Sequence, residues 1–115
     1  MNDSKRQILN RQVMIDLIGD DMEMMRKFEI QFLQQAKVSV GKIAAFYNDN
    51  KLIEIKEEAH YLKTSAKAVG AEQTADLLEA LEQIALDNDK AQCKESIILI
   101  NRSLKQVYGA VTNES

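Results

Sequence analysis

Apolar residues recur three and four positions apart along five segments of the chain, which is the spacing that one face of an amphipathic α-helix produces. The first segment is short and runs from Ile8 to Ile18. The second is long and keeps one apolar face aligned for about seven turns. Three further long segments follow before the carboxyl end, so the pattern predicts five helices. The apolar face of the second helix is predicted to contain Met25, Phe28, Phe32, Ala36, Val40, Ile43 and Tyr47.

Glycines mark the ends of two predicted helices. Gly19 follows the first segment and Gly70 follows the third. Glycine readily takes the left-handed backbone conformation that is common just after a helix. The first helix is therefore expected to end at Ile18 and the third at Val69.

Polar residues mark where the next helices begin. Asp20 stands three positions before Glu23, which is the spacing of a capping box and predicts that Asp20 caps the second helix. Asn50 closes a turn-forming cluster and is the predicted cap of the third helix. Asp89 stands three positions before Gln92 and is predicted to cap the fifth.

Four long helices joined by short loops favour an all-α fold, because short loops connect antiparallel neighbours. We predict an antiparallel up-and-down four-helix bundle, with the short additional N-terminal helix laid against or capping one end. The chain has 115 residues, which is close to the commonest size of one domain. Residues 1–115 are therefore expected to form a single domain.

Composition narrows the class of protein. Hydrophobic residues make up 45% and charged residues 29%, as is typical of globular rather than disordered proteins. No apolar run approaches the roughly 18 residues of a membrane span, and the polar start lacks a secretory signal, so a cytoplasmic location without membrane contact is expected. A net charge of −3 argues against nucleic acid as a partner. No long apolar stripe is left over, which favours a monomer. Cys93 is predicted to be a packed thiol, and the methionines are predicted to fill the core.

The only histidine, His60, lies in the third helical segment. At about 100° per residue, His60 and three lysines fall within an arc of roughly 60° on one side of that helix. The centre of the apolar stripe lies roughly 125° away, so the imidazole is predicted to face water. The lysines that share its side are Lys56, Lys63 and Lys67.

Several enzyme classes are disfavoured because their characteristic residues are missing. The four glycines form neither a Walker-type phosphate loop nor a dinucleotide fingerprint, which argues against direct use of ATP or a dinucleotide. A single histidine without a Cys-x-x-Cys or Glu-x-x-His motif argues against a metal site. A Ser65–His60 nucleophilic couple is also poor, because residues five apart lie on separated parts of a helix surface. We therefore expect no cofactor and no bound metal.

The remaining hypothesis is that the histidine itself acts as a nucleophile. Imidazole is nucleophilic only when it is neutral, and ammonium groups on the same face disfavour its protonated form by like-charge repulsion. The same lysines would attract the oxygens of a phosphoryl group. The alternative is an ordinary solvated helix face, and spacing alone does not separate the two interpretations.

The segment Ala59-His60-Tyr61-Leu62-Lys63, followed by Ser65, Gly70 and Ala71, resembles the signature of histidine phosphotransfer (HPt) domains. That signature is commonly His-x-x-Lys-Gly, followed by small residues and a Gly-Ala or Gly-Leu turn. The likeness covers nearly the whole chain, since further matching segments are Gly19-x-Asp21, Phe32-Leu33, Asn48-Asp49 and Leu78-x-x-Leu81-Glu82.

The resemblance implies a role in a multistep phosphorelay. Such domains accept a phosphoryl group from an aspartyl phosphate of a receiver domain and pass it to another receiver aspartate, without kinase or ATPase activity of their own. By the family pattern His60 is the phospho-acceptor through Nε2, while Lys63 and Lys67 steady the phosphoryl oxygens. The partners would be response-regulator receiver domains or a hybrid sensor kinase, and the Mg²⁺ would belong to the receiver.

The family often places Gln or Glu on the following helix, within reach of the other imidazole nitrogen. Counting along the motif gives Glu82 this position. A carboxylate that accepts from Nδ1–H would fix the tautomer that leaves Nε2 free. A solvated acid beside Leu81 is the alternative.

One residue departs from the family pattern. Thr64 stands where the family usually has glycine, next to the approaching receiver, so either its side chain tilts aside or the set of partners is restricted. A hydroxyl residue here, with Ile55-Lys56-Glu57 earlier in the helix, is similar to small stand-alone phosphotransfer proteins of quorum-sensing relays. The expected docking surface around His60 consists of Lys56, Glu57, Tyr61, Thr64, Lys67 and Ala68.

Two other functions are compatible with the sequence. A helical adaptor could bind receiver domains or other signalling proteins through the same face without transferring phosphate. The third hypothesis is a purely structural helical bundle. Tyr61 could likewise be an ordinary aromatic at the edge of the core rather than an interface residue.

Overall fold

A computed structural model describes residues 6–113, which form five α-helices. Loops of two or three residues connect the helices. Residues 6–10 precede the first helix and are not helical. The helices are α1 (Arg11–Ile18), α2 (Met22–Asn48), α3 (Leu52–Val69), α4 (Glu72–Leu86) and α5 (Lys90–Thr112).

The four long helices form a closed ring of neighbours. Each of α2, α3 and α4 packs against the helix that follows it, and α5 packs back against α2. The short α1 lies against α2 and α3. The predicted antiparallel four-helix bundle with an additional short N-terminal helix is thereby confirmed. Within residues 6–113, no helix combines the length and apolar character needed to cross a bilayer.

The core lies along the bundle axis and is built from one face of each long helix. Leu62, Leu78 and Leu81 are completely buried at its centre. On α2 the predicted face is wrong at one position, because Phe28 is 40% exposed and its neighbour Glu29 is buried instead. The spacing of apolar residues could not reveal this, since the sequence gives no sign that a carboxylate turns inward.

Glu29 is buried together with a cation from α1. The Nε atom of Arg11 lies 2.9 Å from one carboxylate oxygen of Glu29, and the side chain of Glu29 is only 3% exposed. Arg11 also donates to the carbonyl oxygen of Ala110. One arginine therefore joins α1, α2 and the end of α5, and it compensates a carboxylate that would otherwise be costly to bury.

The first helix begins later than the pattern predicts. The predicted start was Ile8, but the helix begins at Arg11 because the Asn10 side chain accepts a hydrogen bond from the backbone N–H of Gln12. The preceding residues run across the turn between α3 and α4. The Asn10 N–H donates to the carbonyl oxygen of Gly70 at an N···O distance of 2.7 Å, and the Gln73 N–H donates to the carbonyl oxygen of Gln7. This strap, formed by residues 7–10, uses the carbonyl oxygen of Gln7, which a helix beginning at Ile8 would need for its first hydrogen bond.

Two predicted caps are shifted by one residue. The side chain of Asp21, not Asp20, accepts from the backbone N–H of Met24 and caps α2. Asn50 does not cap α3, because the capping position belongs to Lys51, which makes no side-chain cap bond. Asn50 lies instead in the loop between α2 and α3 with a φ of 59°, a left-handed conformation that asparagine tolerates. The predicted cap of α5, Asp89, is confirmed by its bond from the Gln92 N–H.

The sulfur-containing residues divide between core and surface. Met14 and Met25 are buried as predicted, whereas Met22 and Met24 are exposed, so the prediction of core filler is wrong for these two. Met1 lies outside the described residues. Cys93 is completely buried, which confirms the packed thiol, and burial together with Asp89 raises the pKa of its thiol.

Gly70 allows the strap to approach the α3–α4 turn. Its φ is 82°, and a Cβ atom built on it would lie 2.1 Å from the carbonyl oxygen of Asn10. We therefore expect Gly70→Ala to lower the free energy of unfolding by about 3 kcal/mol or more, since both the left-handed backbone and the backbone contact are unfavourable for alanine. Urea denaturation followed by circular dichroism measures this effect.

Gly41 provides the matched control, because a Cβ atom there meets nothing within 4 Å. Gly41 lies inside α2, so Gly41→Ala is expected to stabilise the protein by up to about 1 kcal/mol. Equal effects of the two alanine substitutions would show that the strap does not require Gly70.

Candidate functional site

His60 lies on the outer face of α3, as the helical spacing predicts. Its side chain is 63% exposed, while Ala59 and Leu62 on the opposite side of the helix are completely buried. The buried stripe fixes the rotation of α3 about its own axis. The imidazole is consequently held at the protein surface by the packing behind it.

Glu82 approaches His60 from the neighbouring helix α4. Its Oε1 lies 3.1 Å from Nδ1 of His60, at hydrogen-bond distance. The Glu82 side chain is only 14% exposed, so it lies below the imidazole rather than beside it in solvent. The alternative of a solvated acid beside Leu81 therefore does not describe Glu82.

This contact determines which nitrogen of His60 carries the proton. An ionised carboxylate can only accept hydrogen bonds, so Nδ1 must be the donor. In the neutral imidazole the lone pair then belongs to Nε2. That nitrogen is the one not engaged by Glu82, and it belongs to the exposed side chain. The arrangement therefore favours a tautomer whose free nitrogen can react as a nucleophile.

Lys63 contacts the same carboxylate. Its Nζ lies 2.7 Å from Oε2 of Glu82, and its side chain is only 15% exposed. Helical spacing predicts that Lys63 is one of several lysines that display their charge around His60. Its ammonium group is instead partly buried and paired, so Glu82 holds His60 with one oxygen and Lys63 with the other.

The electrostatics of Glu82 follow from these two contacts. Partial burial raises the pKa of its carboxyl group, but the hydrogen bonds from Lys63 and His60 outweigh burial. The net result is a pKa below the ordinary value of 4.5. Glu82 is therefore a carboxylate at neutral pH and can act as the acceptor that the tautomer requires.

Thr64 turns its hydroxyl group back onto its own helix. Its Oγ1 lies 3.3 Å from the carbonyl oxygen of His60, one turn earlier. Serine and threonine commonly make this bond within helices. Thr64 remains exposed beside His60, and its hydroxyl group is directed to the backbone rather than to the imidazole.

The remaining predicted site residues lie at the surface of α3. Glu57, Tyr61, Lys67 and Ala68 are exposed, and Lys56 is half-buried. Lys67 makes no ion pair with any residue between 6 and 113, unlike Lys63. Geometry thus brings together His60, Lys63 and Glu82 as one bonded group, whereas the others share only the surrounding surface.

Metal ligands do not converge near this group. Among the described residues, no three His, Cys, Asp or Glu side chains are arranged so that they could hold a metal ion. The assignment of Mg²⁺ to a partner receiver domain stays a prediction.

Comparison with known protein families gives a match that includes the whole site. The model of the Hpt domain matches residues 30–110, which is more than half of the chain. The chain belongs to the Hpt domain family. The resemblance seen in the sequence is thereby confirmed, and the coarse function follows, because Hpt domains serve as histidine-containing phosphotransfer modules in phosphorelays.

The match to the Hpt domain includes α3, α4 and nearly all of α5. It begins within α2, so the strap and α1 precede it. Searches of curated proteins and of solved structures return no significant match. The roles of individual residues in this Hpt domain therefore rest on their geometry.

The lowered pKa of Glu82 predicts an acid-side change in stability. Ionised Glu82 stabilises the folded state above the ordinary pKa of 4.5, and this contribution is lost as the pH falls through the lower folded-state pKa. The difference in unfolding free energy between the wild type and Glu82→Gln should therefore be complete at neutral pH and shrink in acid. Urea titrations at a series of pH values measure this difference.

Glu79→Gln is the matched control, because Glu79 lies on the same helix and is exposed. It should change the free energy of unfolding by less than about 0.5 kcal/mol throughout the pH series. A Glu82→Gln difference that stays constant into strong acid would contradict the pairing seen in the structure.

Proposed function

We propose that this Hpt domain accepts a phosphoryl group on Nε2 of His60 from a receiver-domain aspartyl phosphate and passes it to the aspartate of another receiver. The observation that carries the proposal is the bond between Nδ1 of His60 and the carboxylate of Glu82. It leaves Nε2 unengaged by Glu82 in the one histidine of the chain, whose side chain is 63% exposed.

The transfer is a substitution at phosphorus. The lone pair of Nε2 forms the new N–P bond while the P–O bond to the receiver aspartate breaks, and the aspartate leaves as a carboxylate. The imidazole ring gains positive charge because it keeps its Nδ1 proton. Glu82 lies where it would stabilise that charge as it develops, and return of the phosphoryl group to a second aspartate reverses the same step.

The two lysines would act differently. Lys63 is bound to Glu82 before any phosphoryl group arrives, so it first positions the carboxylate and can reach phosphoryl oxygens only by sharing or exchanging that contact. Lys67 has no such partner among residues 6–113 and lies two turns after His60. We assign Lys67 the longer-range attraction of the phosphorylated receiver.

The docking surface around His60 supplies the contacts with the receiver. Tyr61 is 57% exposed although it is aromatic, which is typical of a residue that packs against a partner. Glu57 and Ala68 extend the same exposed face along α3. The family resemblance leads us to expect that the phosphoryl group comes from the receiver domain of a hybrid sensor kinase or of a separate regulator. A panel of receiver domains tests this expectation.

The test of transfer uses a panel of receiver domains phosphorylated with acetyl phosphate. The wild type should acquire acid-labile, alkali-stable label, and His60→Ala should acquire none. Glu82→Ala should be labelled about tenfold more slowly, because the imidazole loses the acceptor that holds its tautomer. Labelling of His60→Ala at the wild-type rate would contradict the proposal, and receiver binding without any transfer would favour the adaptor instead.

Nitrogen NMR separates positioning by Glu82 from loss of structure. In Glu82→Ala the fraction of neutral His60 that carries its proton on Nδ1 should fall, while the helical circular dichroism stays unchanged. A slow variant with an unaltered tautomer would remove Glu82 from the assigned role.

Thr64 should restrict which receivers can dock. We expect Thr64→Gly to increase the number of receivers in the panel that transfer phosphate, since it removes the side chain next to His60. Glycine inside a helix costs about 1 kcal/mol, so Thr64→Ala serves as the control that shortens the side chain with little loss of helix stability. An unchanged panel for both variants would show that Thr64 does not limit docking.

A further inference from the structure

A groove runs between α2 and α5, the pair of neighbouring helices that closes the bundle. Its volume is about 580 Å³. Apolar side chains line much of it, and several remain partly open to solvent, including Ile30 at 42% and Tyr108 at 60% exposure. The helical pattern along the chain does not reveal this open apolar surface, because its two walls come from separate helices, and a monomer stays a prediction. We call it the α2/α5 groove, with apolar lining residues Ile30, Leu33, Val40, Leu104 and Tyr108.

The charge around this groove has one sign. Arg26, Lys37 and Lys105 line it, and no acidic residue does. The sequence extends this observation, because residues 30–48 and 96–112 contain no aspartate or glutamate although the chain has 18 acidic residues. In a chain of net charge −3, the α2/α5 groove is therefore a local basic surface with an apolar floor.

The groove lies away from the phosphotransfer site. His60 and Glu82 occupy α3 and α4, whereas the groove lies between α2 and α5 on the other side of the ring of helices. No residue of the docking surface around His60 lines it. A ligand could therefore occupy the groove while a receiver domain contacts His60.

The shape and charge identify the class of occupant. The α2 wall extends from Arg26 to Val40, which is about 21 Å at 1.5 Å per residue and matches about four turns of a helix. The apolar walls of the groove pack favourably against apolar side chains of a ligand, and the cations at its edge attract acidic groups of that ligand. A helix with spaced apolar residues supplies both, and its polar side can cover the open length of the groove. A long acyl chain could match that length, but its single terminal carboxylate would leave at least two of the three lining cations, Arg26, Lys37 and Lys105, without an acidic partner.

We propose that the α2/α5 groove binds an acidic amphipathic helix of a partner protein, as a second interaction site separate from His60. Apolar residues of the partner helix, spaced by three and four, would pack between Leu33 and Leu104. Its acidic residues would pair with Lys37 and Lys105. The proposal does not depend on phosphotransfer, because none of these residues belongs to the assigned site.

The test uses the 115-residue chain and a synthetic helix of about 18 residues that carries leucines spaced by three and four with glutamates on either side. Titration into ¹⁵N-labelled protein should shift amide signals of groove residues. Combining Lys37→Glu with Lys105→Glu should weaken the dissociation constant about tenfold, because it replaces attraction by repulsion at two exposed positions. Circular dichroism verifies that the variant is folded.

Lys42→Glu is the matched control, since Lys42 is exposed on the same helix but does not line the groove. It should change the dissociation constant by less than about twofold. A second peptide, in which lysine replaces every glutamate, should bind at least about tenfold more weakly than the acidic one.

Four results would overturn the proposal. These are equal shifts with the basic peptide, no groove shifts at millimolar acidic peptide, groove shifts that grow with protein concentration alone, and groove shifts with decanoate but not with the acidic peptide. The third result would identify a second copy of the chain as the occupant, and the fourth would identify a small anionic amphiphile.

Discussion

The rest of the site depends on the contacts that the carboxylate of Glu82 makes. It lies largely beneath the surface between α3 and α4, and its two oxygens contact His60 and Lys63 separately. Burial alone would make a charged carboxylate unfavourable, so the carboxylate, the imidazole and the ammonium group stabilise one another. Rotation of either helix by one residue would separate them. The packing of the bundle core is therefore also what maintains the reactive geometry.

Much of the fold and the centre of the site could be predicted from the sequence. Helical spacing was sufficient to place His60 outside and Leu62 inside, because those positions depend on a single period. The family pattern added Glu82, which periodicity could not connect with a residue on another helix. The pairing of Lys63 was missed because a lysine beside a histidine can point to solvent or across to α4, and spacing within α3 does not distinguish these directions.

The errors share a physical origin. Asp20 and Asp21 are both competent caps, and the choice between them depends on where the backbone leaves α1. The burial of Glu29 was missed because its partner, Arg11, comes from a different helix. The basic groove was missed because its walls come from α2 and α5, which are distant in sequence. Each case requires knowledge of contacts between segments that local patterns do not contain.

The strap of residues 7–10 has a consequence for what counts as the folding unit. The family match begins at residue 30, yet the strap and α1 contribute backbone bonds at Gly70 and the buried side chain of Met14. A fragment trimmed to the matched residues would lack the strap, so the α3–α4 turn would lose these hydrogen bonds and become exposed to solvent. The residues that match the family and the residues that stabilise the fold therefore differ in this protein. A fusion or truncation designed from the family match alone would remove contacts that hold the α3–α4 turn.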